Sequence, residues 1–131
     1  MKSIEWLAGI LEGEGTFSDV KSGSSGLYRT PLVALGMTDQ DVVQEAAKIC
    51  EVIGGRKIRV GRPLIKSGKI SYTIYLTGLP AVRVMLAVLP YLGFRSTARI
   101  QAVLAAWNPK KYRQAVALKM ELREQQSSFE E

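Results

Sequence analysis

Residues 7–17 read LAGILEGEGTF, and this stretch decides how the chain is interpreted. An apolar, helix-forming run meets two carboxylates, Glu12 and Glu14, each followed by a glycine, and β-prone residues come next. The pattern predicts a helix that ends at the glycines and leads straight into a strand. Acidic side chains at a helix C-terminus oppose the helix dipole, so local stability does not explain them. Carboxylates held there can bind a hard divalent cation, which phosphodiester cleavage needs.

The composition fits one ordinary globular domain. The 131 residues are enough for a hydrophobic core, and no apolar run reaches the length of a membrane span, so we expect neither a membrane span nor a membrane partner. No signal-peptide pattern is visible. Cys50 stands alone and is expected inside a helix as a small hydrophobe, in an intracellular, reducing setting whose source compartment stays open. The chain has no histidine, which excludes Ser-His-Asp catalysis and zinc sites built on histidine.

The charges are distributed unevenly along the chain. Within a net charge of +6, residues 1–55 hold four Lys/Arg and eight Asp/Glu, whereas residues 56–120 hold thirteen Lys/Arg and no acid. This asymmetry indicates a surface that neutralises phosphates through counterion release. A solvated basic face is the plain alternative. Membrane-surface binding is less favoured because the basic residues are not confined to one amphipathic helix.

The remaining periodicities predict an α+β domain with the order α-β-β-α-β-β-α-α and one four-stranded antiparallel sheet. Ser3 is the expected N-cap of the first helix, and Thr38 or Asp39 that of the second. The four helices of this order cover residues 3–13, 38–53, 80–89 and 96–107, and its strands cover 16–22, 27–37, 56–61 and 69–77. A last amphipathic helix is predicted after them, at 109–124. One domain therefore spans residues 1–124, and a frayed polar tail covers 125–131.

Two glycines on the first helix, Gly9 and Gly13, leave a flat strip where another helix can come close. Glycine inside a helix costs about 1 kcal/mol relative to alanine, so it needs a packing reason. Glu12 and Glu14 point in different directions, and one carboxylate alone is a weak metal site. Because the motif occurs only once, we expect two copies of the chain to be joined by a two-fold axis at this strip.

The run from Trp6 to Phe17 closely resembles the LAGLIDADG motif of homing endonucleases, since apolar, small, acidic and glycine positions all fall in order. The resemblance continues at residues 37–39, at residues 89–95 and in the element order across 3–107. It implies a curved sheet that lies as a saddle in the DNA major groove. It also implies a homodimer whose motif helices pack at the two-fold axis. The implied interface residues are Trp6, Gly9, Ile10 and Gly13.

The same resemblance assigns the catalytic site. Glu14 matches the metal-binding carboxylate, Gly13 would offer its backbone carbonyl to the same Mg²⁺ or Mn²⁺ ion, and Glu12 matches an acid with a structural role. Asp39 falls where the family places Gln or Asp, and Arg95 where it commonly places Lys. The chain thus departs from the family pattern at Glu14, a longer acid than aspartate, and at Arg95. Arginine stays charged, so it can stabilise a phosphorane but cannot activate water by its own deprotonation.

Sequence reading is expected from strand side chains that alternate toward the groove. In the first strand this face holds Thr16, Ser18, Val20 and Ser22, and by resemblance the second presents Thr30, Leu32, Ala34 and Gly36. For the fourth strand two sets stay open, Tyr72 with Ile74 or Thr73 with Tyr75. Lys57 and Arg59 suit guanine edges, and Lys110 and Lys111 suit phosphates. The expected DNA-binding residues are Thr16, Ser18, Ser22, Thr30, Lys57, Arg59, Arg62, Lys110 and Lys111.

The resemblance implies a site-specific endonuclease that cuts double-stranded DNA at a long, near-palindromic target by metal-assisted hydrolysis, in the setting of intron or intein mobility. An alternative is a non-cleaving nucleic-acid-binding protein on the same scaffold, either a DNA-binding regulator or an RNA-splicing maturase with RNA as its partner. A small structural protein whose carboxylates are incidental is the third reading.

Overall fold

The computed structural model describes residues 2–22 and 28–107, with only the backbone described for residues 21, 22, 28 and 66. Its elements are α1 (Ile4–Glu14), β1 (Gly15–Ser22), β2 (Tyr28–Met37), α2 (Gln40–Gly54), β3 (Leu64–Lys66), β4 (Lys69–Thr77), α3 (Leu79–Val88), a 3₁₀ turn (Leu89–Tyr91) and α4 (Phe94–Ala106). The predicted α+β class and element order are confirmed through α4. The predicted helix at 109–124, the tail at 125–131, Lys110 and Lys111 lie outside the described residues.

Local signals set the helix ends. The Ser3 hydroxyl accepts a hydrogen bond from the Trp6 backbone N–H at 3.1 Å and caps α1, and the Asp39 carboxylate caps α2. Gly55 ends α2 in the left-handed region at φ 71°, where glycine carries no Cβ penalty. Cys50 is buried in α2, as predicted, and burial raises the pKa of its thiol to about 12. None of the described helices is long and apolar enough to cross a membrane.

The four strands form one antiparallel sheet in the order β1-β2-β4-β3. The central strands β2 and β4 bring Gly36 opposite Thr73 and Ala34 opposite Tyr75. A tight turn joins β3 to β4, and Ser67 and Gly68 both take positive φ values, 51° and 76°. Two left-handed residues are what a type I′ hairpin turn requires, because its twist matches that of the strands.

The predicted strand at 56–61 is wrong, because the strand before β4 lies at Leu64–Lys66 instead. The Ile58 backbone N–H donates to the Glu51 carboxylate of α2 at 2.7 Å, so it is not available for a strand ladder. The one backbone bond of this segment to β4 runs from the Gly61 N–H to the Thr73 carbonyl, at 2.8 Å. The predicted alternation survives, since Ile58 and Val60 pack on the core while Lys57 and Arg59 are exposed.

The sheet is buried on one face only, as far as the described residues show. Every second strand residue points to that face and packs with the helices in a single core. The buried strand residues of this core are Phe17, Val33, Leu35, Ile74 and Leu76. We call the opposite side the open face. It carries Thr16, Ser18, Val20, Thr30, Leu32, Ala34, Gly36, Thr73, Tyr75 and Thr77, placed by strand alternation and register. The described helices therefore cover one face of the sheet and leave the other face uncovered by any described element.

Candidate nucleic-acid interface and active site

Glu14, the last residue of α1, opens onto a cleft of about 320 Å³ at the helix end of the sheet. We call it the Glu14 cleft, and it is lined by Glu14, Gly36, Met37, Thr38, Lys69 and Ser71. Gly36 is an open-face residue of β2, and Lys69 and Ser71 lie four and two residues before the open-face residue Thr73 of β4. Every second residue of a strand points to the same side, so the cleft belongs to the open face. The Glu14 side chain is exposed and makes no hydrogen bond or ion pair with any described residue. Its oxygens are therefore available to a ligand.

Glu12 enters a second cleft, of about 480 Å³, beside the outer edge of β1. This Glu12 cleft is lined by Glu12, Gly15, Thr16, Phe17, Arg95, Ser96 and Arg99. The Glu12 carboxylate accepts a hydrogen bond from the Gly93 N–H at 3.2 Å, which ties the end of α1 to the start of α4. A Cβ added at Gly93 would come within 2.7 Å of that carboxylate, so glycine keeps the contact possible.

The two acids diverge because residues two apart on a helix lie about 200° apart around its axis. The prediction that they point in different directions is confirmed, since each lines its own cleft. A shared site that uses both carboxylates of one chain does not form. Of the two acids, Glu14 is the one that lines the cleft on the open face.

Arg99 of α4 is a residue that the sequence analysis missed. Its Nε donates to the Phe17 carbonyl at 3.1 Å, and its Nη2 donates to the Ser18 hydroxyl at 3.1 Å. Arg99 therefore fastens α4 to the edge strand and holds one of the predicted DNA-reading hydroxyls. Its spacing of four from Arg95 on a helix was the available signal, because such residues share one face.

The structure does not bring the three predicted catalytic residues into one cleft. Arg95 is exposed and lines the Glu12 cleft, where none of the described residues bonds its guanidinium. The Asp39 carboxylate accepts a hydrogen bond from the Val42 N–H at 3.3 Å and so serves as the N-cap of α2. Its neighbour Thr38 lines the Glu14 cleft. The catalytic roles of Asp39 and Arg95 stay predictions.

The open face carries three of the nine predicted DNA-binding residues. Thr16, Ser18 and Thr30 lie on it. The burial of Ile74 puts Thr73 and Tyr75, rather than Tyr72 and Ile74, on this face of β4. The Tyr75 side chain is 61% exposed at the middle of the face. The basic residues Lys57, Arg59 and Arg62 are exposed on the segment between α2 and β3. The Ser22 side chain lies outside the described set.

Helix α1 carries the four predicted interface residues, Trp6, Gly9, Ile10 and Gly13. Gly9 and Gly13 are exposed and lie opposite the buried side of the helix, whereas Trp6 and Ile10 are half-buried and pack against the core. A Cβ added at Gly9 or Gly13 would meet nothing within 4 Å, so both glycines face open space within the chain. The strip has room for a close helix contact.

The donor atoms of the Glu14 cleft suit a hard cation but are few. The Glu14 carboxylate supplies oxygen, the ligand type that Mg²⁺ prefers, whereas Gly13, the predicted second ligand, is not among the residues that line the cleft. Among the described residues no group of three His, Cys, Asp or Glu side chains could hold a metal ion. The described residues therefore offer a cation one carboxylate, which is fewer donors than a complete metal site has.

Asp19 of β1 makes an ion pair that neither cleft uses. The Arg29 guanidinium donates to its carboxylate at 2.7 Å. This hydrogen bond lowers the pKa of Asp19 from its ordinary 3.8, and Arg99 contributes a smaller effect of the same sign.

Comparisons with known proteins support the fold. No protein-family model matches the chain, and no curated protein has a matching sequence. The chain is similar to the archaeal intron-encoded homing endonuclease I-Vdi141I complexed with DNA, with 14% identity, 92% of this chain and 82% of that chain covered, and a TM-score of 0.53. For the LAGLIDADG homing endonuclease I-SmaMI bound to cleaved DNA, the identity is 16%, the coverage 88% and 48%, and the TM-score 0.38. The element order, the sheet topology and the first of these likenesses show that the chain has the LAGLIDADG homing endonuclease fold.

Proposed function

We propose that this chain is a site-specific endonuclease for double-stranded DNA that acts as a Mg²⁺-dependent homodimer. One observation carries the proposal: a carboxylate without a partner in the described part of the chain, Glu14, lies on the open face of an antiparallel sheet. The fold is that of homing endonucleases, and the similar archaeal enzyme is complexed with DNA.

The open face suits the major groove of DNA. The groove is about 12 Å wide, and it admits β-strands whose side chains reach the base edges. Hydroxyls of Thr16, Thr30 and Thr73 can donate to or accept from bases, and Tyr75 projects from the middle of the face. The exposed cations Lys57, Arg59 and Arg62 contribute attraction to phosphates that weakens with salt.

Two copies complete the site. Each chain supplies one carboxylate to the open face, and the glycine strip of α1 offers room for the same helix of a second copy. A two-fold axis there would bring both Glu14 residues toward one segment of DNA, so that each chain cuts one strand. A two-fold protein reads a near-palindromic target for the same reason.

The chemistry is hydrolysis of a phosphodiester. The Glu14 carboxylate and the Gly13 carbonyl would hold the cation, which when bound activates water and stabilises the leaving oxygen. The chain itself fixes Glu14 at a helix end where the following Gly15 packs on Leu11 and leaves no bulk beside the carboxylate. Arg95, if it reaches DNA, supplies a permanent positive charge.

The test is a search for breaks in DNA from the native host, with the target-bearing fragment captured first by binding. In Mg²⁺ the wild-type chain should give double-strand ends at one near-palindromic site, and Glu14→Gln should bind the same site without cutting it. Samples with EDTA control for other nucleases. Equal cutting rates for the two proteins would show that Glu14 does not hold the cation.

A second candidate is a non-cleaving nucleic-acid-binding protein on the same scaffold. It is favoured by the small donor set around Glu14 and by the position of Arg95 in the other cleft. It predicts specific binding with no breaks in Mg²⁺ or Mn²⁺. Competition between the captured DNA and structured RNA from the same locus separates a DNA-binding regulator from a splicing maturase.

A further inference from the structure

The Glu14 cleft contains a basic residue that the family resemblance does not assign. Hydrolysis of a DNA phosphodiester beside Glu14 would require a positive charge nearby, because negative charge develops on the phosphate oxygens in the transition state. Arg95, the residue expected to supply it, lies in the Glu12 cleft instead. Lys69 is the basic side chain that lines the Glu14 cleft.

The position of Lys69 follows from the strand register. It is the first residue of β4 and lies two, four and six residues before Ser71, Thr73 and Tyr75. Because every second residue of a strand points to the same side, Lys69 belongs to the open face with them. Gly36, opposite Thr73, forms part of the wall between the helix end and β4. A Cβ at Gly36 would lie 3.1 Å from Thr73 Cγ2, so glycine avoids a tight contact on this side of the cleft.

Lys69 and Glu14 share the cleft without neutralising each other. Their charged atoms are not within the 4.0 Å of a salt bridge, and neither side chain bonds to any other described residue. Two opposite charges on the walls of a space of about 320 Å³ leave room for a phosphodiester group between them. One wall can then hold a cation against the phosphate while the other donates directly to it.

We propose that Lys69 is a catalytic residue. In the subunit that cuts a given DNA strand, its ammonium donates to a non-bridging oxygen of the scissile phosphate. This rests on the proposed endonuclease function and names the residue that stabilises its transition state. Lysine suits the role as a compact charge on a flexible stem that can follow the phosphate as its geometry changes.

The first test measures single-turnover cleavage by Lys69→Met against Lys57→Met. Both variants lose one exposed positive charge, but Lys57 lines neither cleft. Lys69→Met should cut roughly 100-fold more slowly, as when one donor to a developing oxyanion is removed, and should bind DNA no worse than Lys57→Met. Lys69→Arg, which keeps the charge, should recover part of the rate. Equal cleavage rates for the two methionine variants would overturn the proposal.

The second test reads the contact without catalysis. Methylphosphonate replaces each central phosphate of the bound target in turn, and affinity is measured in EDTA. At the phosphate that Lys69 contacts, removal of the phosphate charge should lower the DNA affinity of the wild type and of Lys57→Met by the same factor. It should leave the affinity of Lys69→Met unchanged, because that variant has already lost the contact between Lys69 and the phosphate. Additive losses at every phosphate would refute the contact. If the wild type binds but never cuts, the endonuclease proposal fails, and this cycle still decides whether Lys69 meets a phosphate.

Discussion

The Glu12 cleft and the Glu14 cleft lie beside the same end of α1, and their side chains are used in opposite ways. In the Glu12 cleft, Glu12 accepts from Gly93 and Arg99 donates to two groups of β1, so the polar groups join three elements. In the Glu14 cleft, neither Glu14 nor Lys69 bonds to any described residue. Groups satisfied within the chain stabilise the fold, whereas groups left over are available to a ligand. The two acids of one short motif thus divide into Glu12, which is bonded within the chain, and Glu14, which has no bond to a described residue.

The largest expected effect separates the two acids by activity. Glu14→Gln should lower the cleavage rate by roughly 10³-fold or more, because a metal ligand that acts in the transition state is worth several kcal/mol. Glu12→Gln, the matched control, should stay within about tenfold of the wild type, since Gln can still accept from Gly93. Rates are measured at single turnover on the captured target. A larger loss for Glu12→Gln would reverse the division between the clefts.

The next effect separates the two arginines of α4 by stability. Arg99→Ala should lower the free energy of unfolding by about 1.5 kcal/mol, because it removes two hydrogen bonds to β1. Arg95→Ala removes no hydrogen bond to a described residue, and it should change stability by less than about 0.5 kcal/mol. Urea unfolding followed by tryptophan fluorescence gives both values. Similar losses for both would mean that the bonds of Arg99 are not formed in solution.

A smaller effect separates two glycines. Gly93→Ala should destabilise the fold by about 1 kcal/mol, because its Cβ would displace the Glu12 carboxylate. Gly13→Ala lies in α1 with nothing within 4 Å of the new Cβ, so it should stabilise the monomer by up to about 1 kcal/mol through helix propensity. Sedimentation is run alongside urea unfolding. A more stable Gly13→Ala chain that no longer dimerises would place the glycine strip at the interface, and unchanged dimerisation would argue against it.

The smallest effect concerns Asp19, which belongs to neither cleft. Because Arg29 lowers its pKa in the folded chain, the ion pair stabilises the fold fully above the ordinary value of 3.8 and loses this contribution as the pH falls through the lower folded value. Asp19→Asn should therefore be slightly less stable than the wild type at pH 7, and the difference should vanish in stronger acid. Urea midpoints across pH test this. A difference that persists in acid would assign it to packing.

Features set by neighbours in sequence could be predicted. The helix caps Ser3 and Asp39 follow from nearby side chains, and the divergence of Glu12 from Glu14 follows from helix geometry. The strand at 56–61 could not be ruled out, because the bond from Ile58 to Glu51 depends on how the chain leaves α2. The reading face of β4 was undecidable because tyrosine and β-branched residues occur on both of its sides.

The residues that share a cleft with each acid come from distant parts of the chain. Gly93 is 81 residues from Glu12, and Arg99 is 82 residues from Phe17. Only the register of β2 on β4 brings Lys69 to the cleft that holds Glu14. The motif therefore identified the two acids, and the tertiary structure was needed to find which basic residues line the cleft of each acid.

The most direct test of the division between the clefts is to map the cation. Fe²⁺ replaces Mg²⁺ in the complex with DNA, and ascorbate with peroxide then generates radicals that cut the polypeptide beside the bound ion. We expect cuts near residues 36–38 and 69–71, which line the Glu14 cleft, and their loss in Glu14→Gln. Cuts near residues 93–99 that persist in Glu14→Gln would place the cation in the Glu12 cleft and contradict the assignment.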